Sequence, residues 1–234
     1  LNLSHYEHNW VERPPYEGLQ SYMKETDPVN AIYVYETNGI IQIGETPSDF
    51  QPSAARRPGC PKFVDQDGND TLDNRDVVMY NGNPEFIVGF GNTLKIKNFD
   101  VGIFFYGQFG AYGWNNSYAW ASATDFVNRV QNGSQDIKNV WTTSNPDGFL
   151  PGIAYNESTL GLSASVDTWL EKKDFLRCRN ITLGYTFNMP GIKRYVSNLR
   201  LYADIQNAFI ITKYKGADPE INFPKIKLTS YNPI

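Results

Sequence analysis

Cysteine and histidine are nearly missing from this sequence, which carries two of each. Cys60 stands beside a proline and Cys178 inside a strand-like run, so they form either a long-range bridge or two unrelated thiols. Neither has the spacing of a metal or redox motif. Both histidines fall in the stretch HYEH, as His5 and His8. That stretch alternates as a strand, where residues three apart point to opposite faces, so the pair does not chelate one ion without a bend. With no G-x-S-x-G and no Ser/His/Asp set, general-base chemistry has few candidates, and the chain is read as a non-enzyme.

Runs of lysine and arginine are also absent, and the formal net charge is −4 with a pI near 5.2. Phosphate binding needs a basic face, so no nucleic-acid partner is expected. No apolar run approaches the roughly 18 to 20 residues of a transmembrane helix. The opening LNLSHYEHNW lacks the basic and apolar regions of a signal peptide, and a mature protein or a fragment of one is expected. Mean hydropathy is low at −0.46, which a membrane β-barrel tolerates because its polar interior and loops dilute the signal. What the chain does have is apolar mass: 41% hydrophobic and 15% aromatic residues, enough to bury a core.

That mass is arranged with a period of two. In PEFIVGFGNTLKIK one face carries Phe86, Val88, Phe90, Leu94 and Ile96, and the other carries Gly89, Gly91, Thr93 and Lys95. After a short connection at Asn98, Phe99, Val101, Ile103, Phe105 and Phe109 repeat the pattern, which predicts a hairpin. DFLRCRNITLGYTF sets Ile181, Leu183, Tyr185 and Phe187 against Asn180, Thr182, Gly184 and Thr186. LRLYADIQNAFII sets Leu199, Leu201, Ala203, Ile205, Phe209 and Ile211 against Arg200, Tyr202, Asp204 and Gln206. Arg177 and Arg179 fall on the apolar parity of the third run, near its start, above the expected lipid band.

These strands are longer than the usual ~5 to 6 residues of a globular strand. Short turns at 97–99 and 189–198 alternate with long polar stretches at about 13–83 and 111–170. Outer-membrane barrels combine strands of about 10 residues with short periplasmic turns and long external loops. The predicted fold class is therefore all-β, an antiparallel transmembrane β-barrel segment with long extracellular loops. Strands 84–97, 99–112, 171–188, 199–212 and 223 onward alternate in direction, which leaves the carboxyl terminus periplasmic. The competing reading is a secreted, calcium-stabilised, glycan-binding β-sandwich module, which needs shorter strands with finite inner faces.

Two groups stand out as candidate sites. The stretch DQDGNDTLDNRD places oxygen-bearing groups with the rhythm of an EF-hand loop: Asp65, Asp67 and Asn69 through side chains, Thr71 through its carbonyl, Asp73 through water, and Asp76 closing the shell. The alternative is a solvated Asx-turn loop, favoured by Asp70 at the sharp-turn place where glycine fits best. The aromatics Tyr112, Trp114, Tyr118, Trp120 and Trp141 lie in the second long loop. They offer stacking faces for a sugar, a peptide or a lid protein, or else they pack the loop on itself.

Six segments, in order, resemble the carboxy-terminal part of SusC/RagA-like TonB-dependent outer-membrane transporters: VYETNGIIQIGE (34–45), DQDGNDTLDNRD (65–76), GNPEFIVGFGNTLKIKNFDVGIFFYGQFG (82–110), VWTTSNPDGFLP (140–151), DFLRCRNITLGYTF (174–187) and SNLRLYADIQNAFIITKYKGADPEI (197–221). The resemblance implies the last few strands of a barrel of about 22 strands with an amino-terminal plug. It further implies an outer-membrane location in contact with lipid, a SusD-like surface lipoprotein as lid, coupling to TonB through the plug, and import of oligosaccharides or peptides. Residues 1–234 would then be the carboxy-terminal part of a larger protein whose plug and earlier strands lie elsewhere. It favours a structural calcium in the acidic loop. Two features depart from the family pattern: the chain stops at KLTSYNPI without a terminal aromatic residue, and the sixth place of the acidic loop is Asp70 rather than glycine.

Overall fold

The period-two runs fold as long, paired strands. The computed structural model describes residues 1–12, 19–122, 133–152, 155–188, 196 and 198–221. In chain order the strands are β1 (Asn2–His5), β2 (Ala31–Tyr35), β3 (Thr37–Ile40), β4 (Pro61–Phe63), β5 (Val77–Asn81), β6 (Phe86–Ile96), β7 (Phe99–Phe109), β8 (Tyr112–Trp114), β9 (Ser165–Val166), β10 (Leu170–Lys172), β11 (Phe175–Phe187) and β12 (Leu199–Thr212). One short α-helix, α1 (Asn116–Ser122), and several 3-10 turns accompany them among the described residues. No helix among the described residues is long and apolar enough to cross a membrane, which says nothing of strands. The strand expected from residue 223 and most of the turn at 189–198 lie outside the described residues.

The residues divide into two units. The first, Leu1–Glu7, Asn83–Ala111 and Lys172–Tyr214, is one sheet in the order β1-β6-β7-β11-β12, each pair antiparallel. β6 and β7 join through a two-residue turn in which Lys97 has φ 55°. Asn98 then ties the turn to β11, donating through Nδ2 to the Thr186 carbonyl and accepting from its N–H, both at 2.8 Å. At the other end of the sheet His5 pairs with Phe86 and Phe86 with Phe109, while Gln108 pairs with Phe175 and Phe175 with Thr212, and both long excursions of the chain start and finish at that end.

Register places most of the apolar residues of the four long strands on one face, with Leu94 opposite Val101, Val101 opposite Leu183, and Leu183 opposite Ala203, while Ile87, Phe104, Phe175 and Ile210 lie on the other. Leu94, Phe99, Leu183, Leu201, Ile205 and Ile211 are each 52–68% exposed. An apolar surface so extensive marks a membrane or protein contact rather than a solvated surface. Strand length agrees: the 11 residues of β6 cover about 37 Å, and a tilt of about 45° turns that into about 26 Å of height, close to the apolar band of ~25 Å in outer-membrane barrels.

The sequence parity placed Arg177 and Arg179 on this apolar face, and the structure corrects it. Cys178 pairs with Phe105 and Asn180 with Phe104, so Arg179 is an extra residue in β11 and the alternation inverts there. Leu176 and Cys178 share the apolar face with Ile181 and Leu183, while Arg177 lies opposite Tyr106 on the polar side. The Arg179 guanidinium is 4.3 Å from the centre of the Tyr106 ring. A β-bulge re-aims side chains in this way, and here it removes two charges from the apolar surface. Elsewhere on the polar face Arg200 Nε donates to Asp100 Oδ1 at 3.0 Å. The bond passes over Gly184 of the intervening strand, where a Cβ would meet the guanidinium at 2.5 Å.

The strands expected at 99–112 and 171–188 are each interrupted. Gly110 has φ 94°, and a Cβ there would meet the Glu85 side chain at 2.9 Å, so β7 stops before β8. Lys173 and Asp174 separate β10 from β11; Asp174 accepts from the Gly110 N–H at 2.6 Å.

The second unit, His8–Gly82, Tyr112–Glu171 and the residues from Lys215, contains the stretches expected to be polar loops. They have a hydrophobic core of their own, built on Tyr35, Ile41, Phe50, Cys60, Phe63 and Val166. β5, β2 and β9 form a small sheet in which the β2–β9 pair is parallel. β3 pairs with β4, and β8 with β10. Both cysteines are buried and free.

Candidate functional site

The acidic loop leaves β4 and returns through a single 3-10 turn into β5. Asp65 organises its first half. Its carboxylate accepts the N–H groups of Gly68 at 2.7 Å, Asp70 at 2.9 Å and Asn69 at 3.3 Å. Partial desolvation works against ionisation, yet these three bonds prevail and hold the carboxyl below its usual range. The chain turns with Gly68 at φ 73° and Asp70 at φ 58°, so the sixth place takes the left-handed geometry without glycine. Asp67 Oδ1 accepts the Asn69 N–H at 3.3 Å.

The second half is organised by a capping box. Asp73 accepts the Arg75 N–H at 2.7 Å, and Asp76 Oδ2 accepts the Asp73 N–H at 2.8 Å, capping the turn Asn74–Asp76. Asp76 is fully buried, and its other oxygen accepts the Gln66 N–H at 2.9 Å. Asp65, Asp67 and Asp76 thus converge, with ligand atoms within 4.8 Å of one another. Asp73 does not join them. Arg75 Nη2 holds Asp73 Oδ2 at 2.7 Å, and its Nε reaches Asp67 Oδ2 at 3.3 Å. Thr71 is exposed.

Asn69 sits among these carboxylates, and its side chain is anomalous. Both Oδ1 and Nδ2 are shielded from solvent and have no hydrogen-bond partner. An orphaned buried amide costs about 1–3 kcal/mol. Arg75 is the residue that spacing alone passes over: two positions after Asp73, it draws that carboxylate outward. Asp73→Ala is expected to remove the cap at a cost of about 1 kcal/mol, read as faster amide exchange over 74–76 with the first half of the loop unchanged.

Beside the loop a cavity of about 560 Å3 is lined by Tyr35, Leu72, Asn74, Arg75, Leu162 and Ser163, among others. Its rim is hydrogen-bonded: Asn74 donates to Ser21 Oγ at 2.8 Å and accepts from Ser163 Oγ at 2.6 Å.

The aromatic candidates separate. Trp141 is buried, packs its ring on Gly59 and Gly152, and donates through Nε1 to Gln42 Oε1 at 3.0 Å. Tyr118 is also buried, donating to Asp136 at 2.6 Å with Lys215 over its ring. Both are occupied in packing. Tyr112 and Trp114 are half-buried on β8, Tyr112 with its ring 4.6 Å from that of Tyr80. Trp120 is on α1, and its side chain lies outside the described residues.

Asp167 is a second acid with a shifted carboxyl. Burial raises it, two bonds from Thr37 (N–H at 3.1 Å, Oγ1 at 2.7 Å) partly offset this, and the charge of Glu36 raises it further. A carboxyl raised on folding stabilises fully below its unfolded value near 3.9 and loses that contribution as pH rises through the folded value. Asp167→Asn is expected to flatten the fall in thermal stability above pH ~4; an unchanged slope contradicts the assignment.

No family model matches the chain. Over 206 residues it is 29% identical to TonB-dependent receptor P3 of Formosa agariphila, covering 86% of this chain and 19% of that protein. It is 33% identical over 171 residues to TonB-dependent receptor SusC of Bacteroides thetaiotaomicron, covering 68% of this chain and 15% of that one. The fold matches a solved RagAB peptide transporter with a TM-score of 0.59 at 22% identity, over 83% of this chain and 21% of that one. It also matches the open-open state of the RagAB peptide importer, with a TM-score of 0.54. The chain spans less than a fifth of the length of these curated relatives.

Proposed function

We propose that this chain, related in sequence to SusC/RagA-like TonB-dependent transporters, is the carboxy-terminal part of an outer-membrane importer. Its first unit contributes strands to a closed barrel and faces lipid; its second unit contributes the external surface. The observation that carries the reading is the exposed apolar face shared by β6, β7, β11 and β12. In a β-sandwich that face would be buried against a second sheet, whereas its residues are about half exposed. An open sheet with free edges is closed by further strands in a barrel, and these belong to the remainder of the parent protein, with the plug that engages TonB.

The importer takes up oligosaccharides or peptides and works with a SusD-like surface lipoprotein. Tyr112 and Trp114 are the aromatic contacts it offers to substrate or lid. The carboxyl terminus is periplasmic, and the chain acts by transport and not by catalysis. Cell fractionation tests the reading. The intact parent protein is expected in the outer-membrane fraction, released only by detergent; a parent that stays soluble without detergent defeats it.

A further inference from the structure

We infer that the cavity beside the acidic loop is a binding site for a neutral saccharide, built from three stretches of the second unit. The inference rests on the import proposal only in taking that unit as the external surface. Its basis is a directed chain of hydrogen bonds around the rim. Ser163 Oγ donates to Asn74 Oδ1 at 2.6 Å, and Asn74 Nδ2 donates to Ser21 Oγ at 2.8 Å. A hydroxyl has one hydrogen to give. Ser163 has spent its own on Asn74, so in the 3.0 Å contact between Tyr35 and Ser163 the tyrosine is the donor. The chain therefore runs outward from the buried Tyr35 through Ser163 and Asn74 to the exposed Ser21. Ser21 keeps its hydrogen, and the Asn74 amide its second, for an acceptor in the cavity that both residues line. Tyr22 donates to the Ser163 carbonyl at 3.0 Å and braces the same segment. The donors are thus set before a ligand arrives, which lowers the cost of binding one.

Charge selects against an anion. Residues 65–76 carry five aspartates and one arginine, and in the cavity wall Asp73 and Arg75 pair with each other at 2.7 Å. The remaining field is negative and repels uronates, sulfated sugars and peptide carboxyl ends. A neutral extended peptide is held along an open strand edge. Tyr35 is the only strand residue in the wall among the described residues, and it pairs with Val77 on one side and Val166 on the other. Vicinal sugar hydroxyls fit what remains. They are uncharged, they accept from Ser21 and Asn74, and the ring between them offers a C–H face to Leu72 and Leu162. The cavity volume of about 560 Å3 lies within the ~300–1,000 Å3 of small-molecule sites.

The test titrates the intact transporter, held in a detergent without a sugar headgroup, and reads binding by saturation-transfer NMR. The probes are maltose, cellobiose and lactose, digalacturonate as an acidic sugar, and a trialanine blocked at both ends. At least one neutral disaccharide is expected to bind saturably, at least tenfold tighter than digalacturonate or the peptide. Ser21→Ala is expected to weaken that binding at least threefold. Leu162→Trp fills the cavity, leaves the hydrogen-bond chain in place and is expected to abolish it. Thr71→Ala, outside the wall, is expected to bind as the parent does. The inference is overturned by no saturable binding of any of the three disaccharides, by binding that survives Leu162→Trp, or by equal binding of the acidic sugar or the peptide. Detergent extraction decides the import proposal separately, so either can fail alone.

Discussion

Leu183→Arg is expected to destabilise the barrel by about 2–4 kcal/mol, the cost of an arginine at mid-depth on a lipid-facing strand. Leu183 stands in the middle of β11 between Val101 and Ala203 and is 52% exposed. Thr182, one residue away, lies opposite Gly102 and Asp204 on the polar face and donates to Asp204. Thr182→Arg therefore brings a cation beside a carboxylate in a hydrated setting, and its expected effect is under about 1 kcal/mol. Equilibrium unfolding of the refolded transporter in lipid measures both. Equal costs for the two arginines would remove the distinction between the faces.

Trp141→Ala is expected to cost about 3–5 kcal/mol in the second unit, the usual range for truncating a buried tryptophan. The ring is buried against two glycine backbones, and Gly59 and Gly152 are also bonded to each other, Gly152 N–H to Gly59 O at 2.7 Å. Gly59→Ala reaches the same contact from the other side. Its Cβ would lie 2.7 Å from the indole, at a φ of 88° that disfavours any side chain. Together the clash and the backbone strain are expected to cost about 2 kcal/mol or more. Calorimetry or limited proteolysis of the second unit reads both. If Trp141→Ala leaves the unit as stable as before while weakening lid or substrate binding, the residue is a contact and not a packing element.

The strands of the first unit were legible because each is half-buried, and half-burial writes itself as a period of two in the side chains. The bulge at Arg179 was not legible. One unpaired residue inverts the parity of everything before it, and no residue type announces that; the misplaced arginines were its only trace. The core of the second unit was hidden for a different reason. Tyr35, Ile41, Phe50, Cys60 and Val166 come from short strands and irregular turns, and without a repeating period their burial has no signature in the sequence. The acidic loop was legible as spacing, since chain geometry fixes where the carboxylates of so short a turn fall. The diversion of Asp73 depends on competition from Arg75 and on the cap it makes with its own turn, which spacing does not encode.

Single cysteines, with Cys60 and Cys178 replaced by alanine, placed at 100–103 of β7 and 181–184 of β11 in the intact transporter, test the central claim most directly. Spin labels there report collision with oxygen, which partitions into lipid, and with a polar nickel chelate, which stays in water. High oxygen and low nickel access are predicted at 101, 103, 181 and 183, and the reverse at 100, 102, 182 and 184, in register across the two strands. Nickel access at Val101 and Leu183 equal to that at Gly102 and Thr182 would contradict a lipid-facing barrel segment.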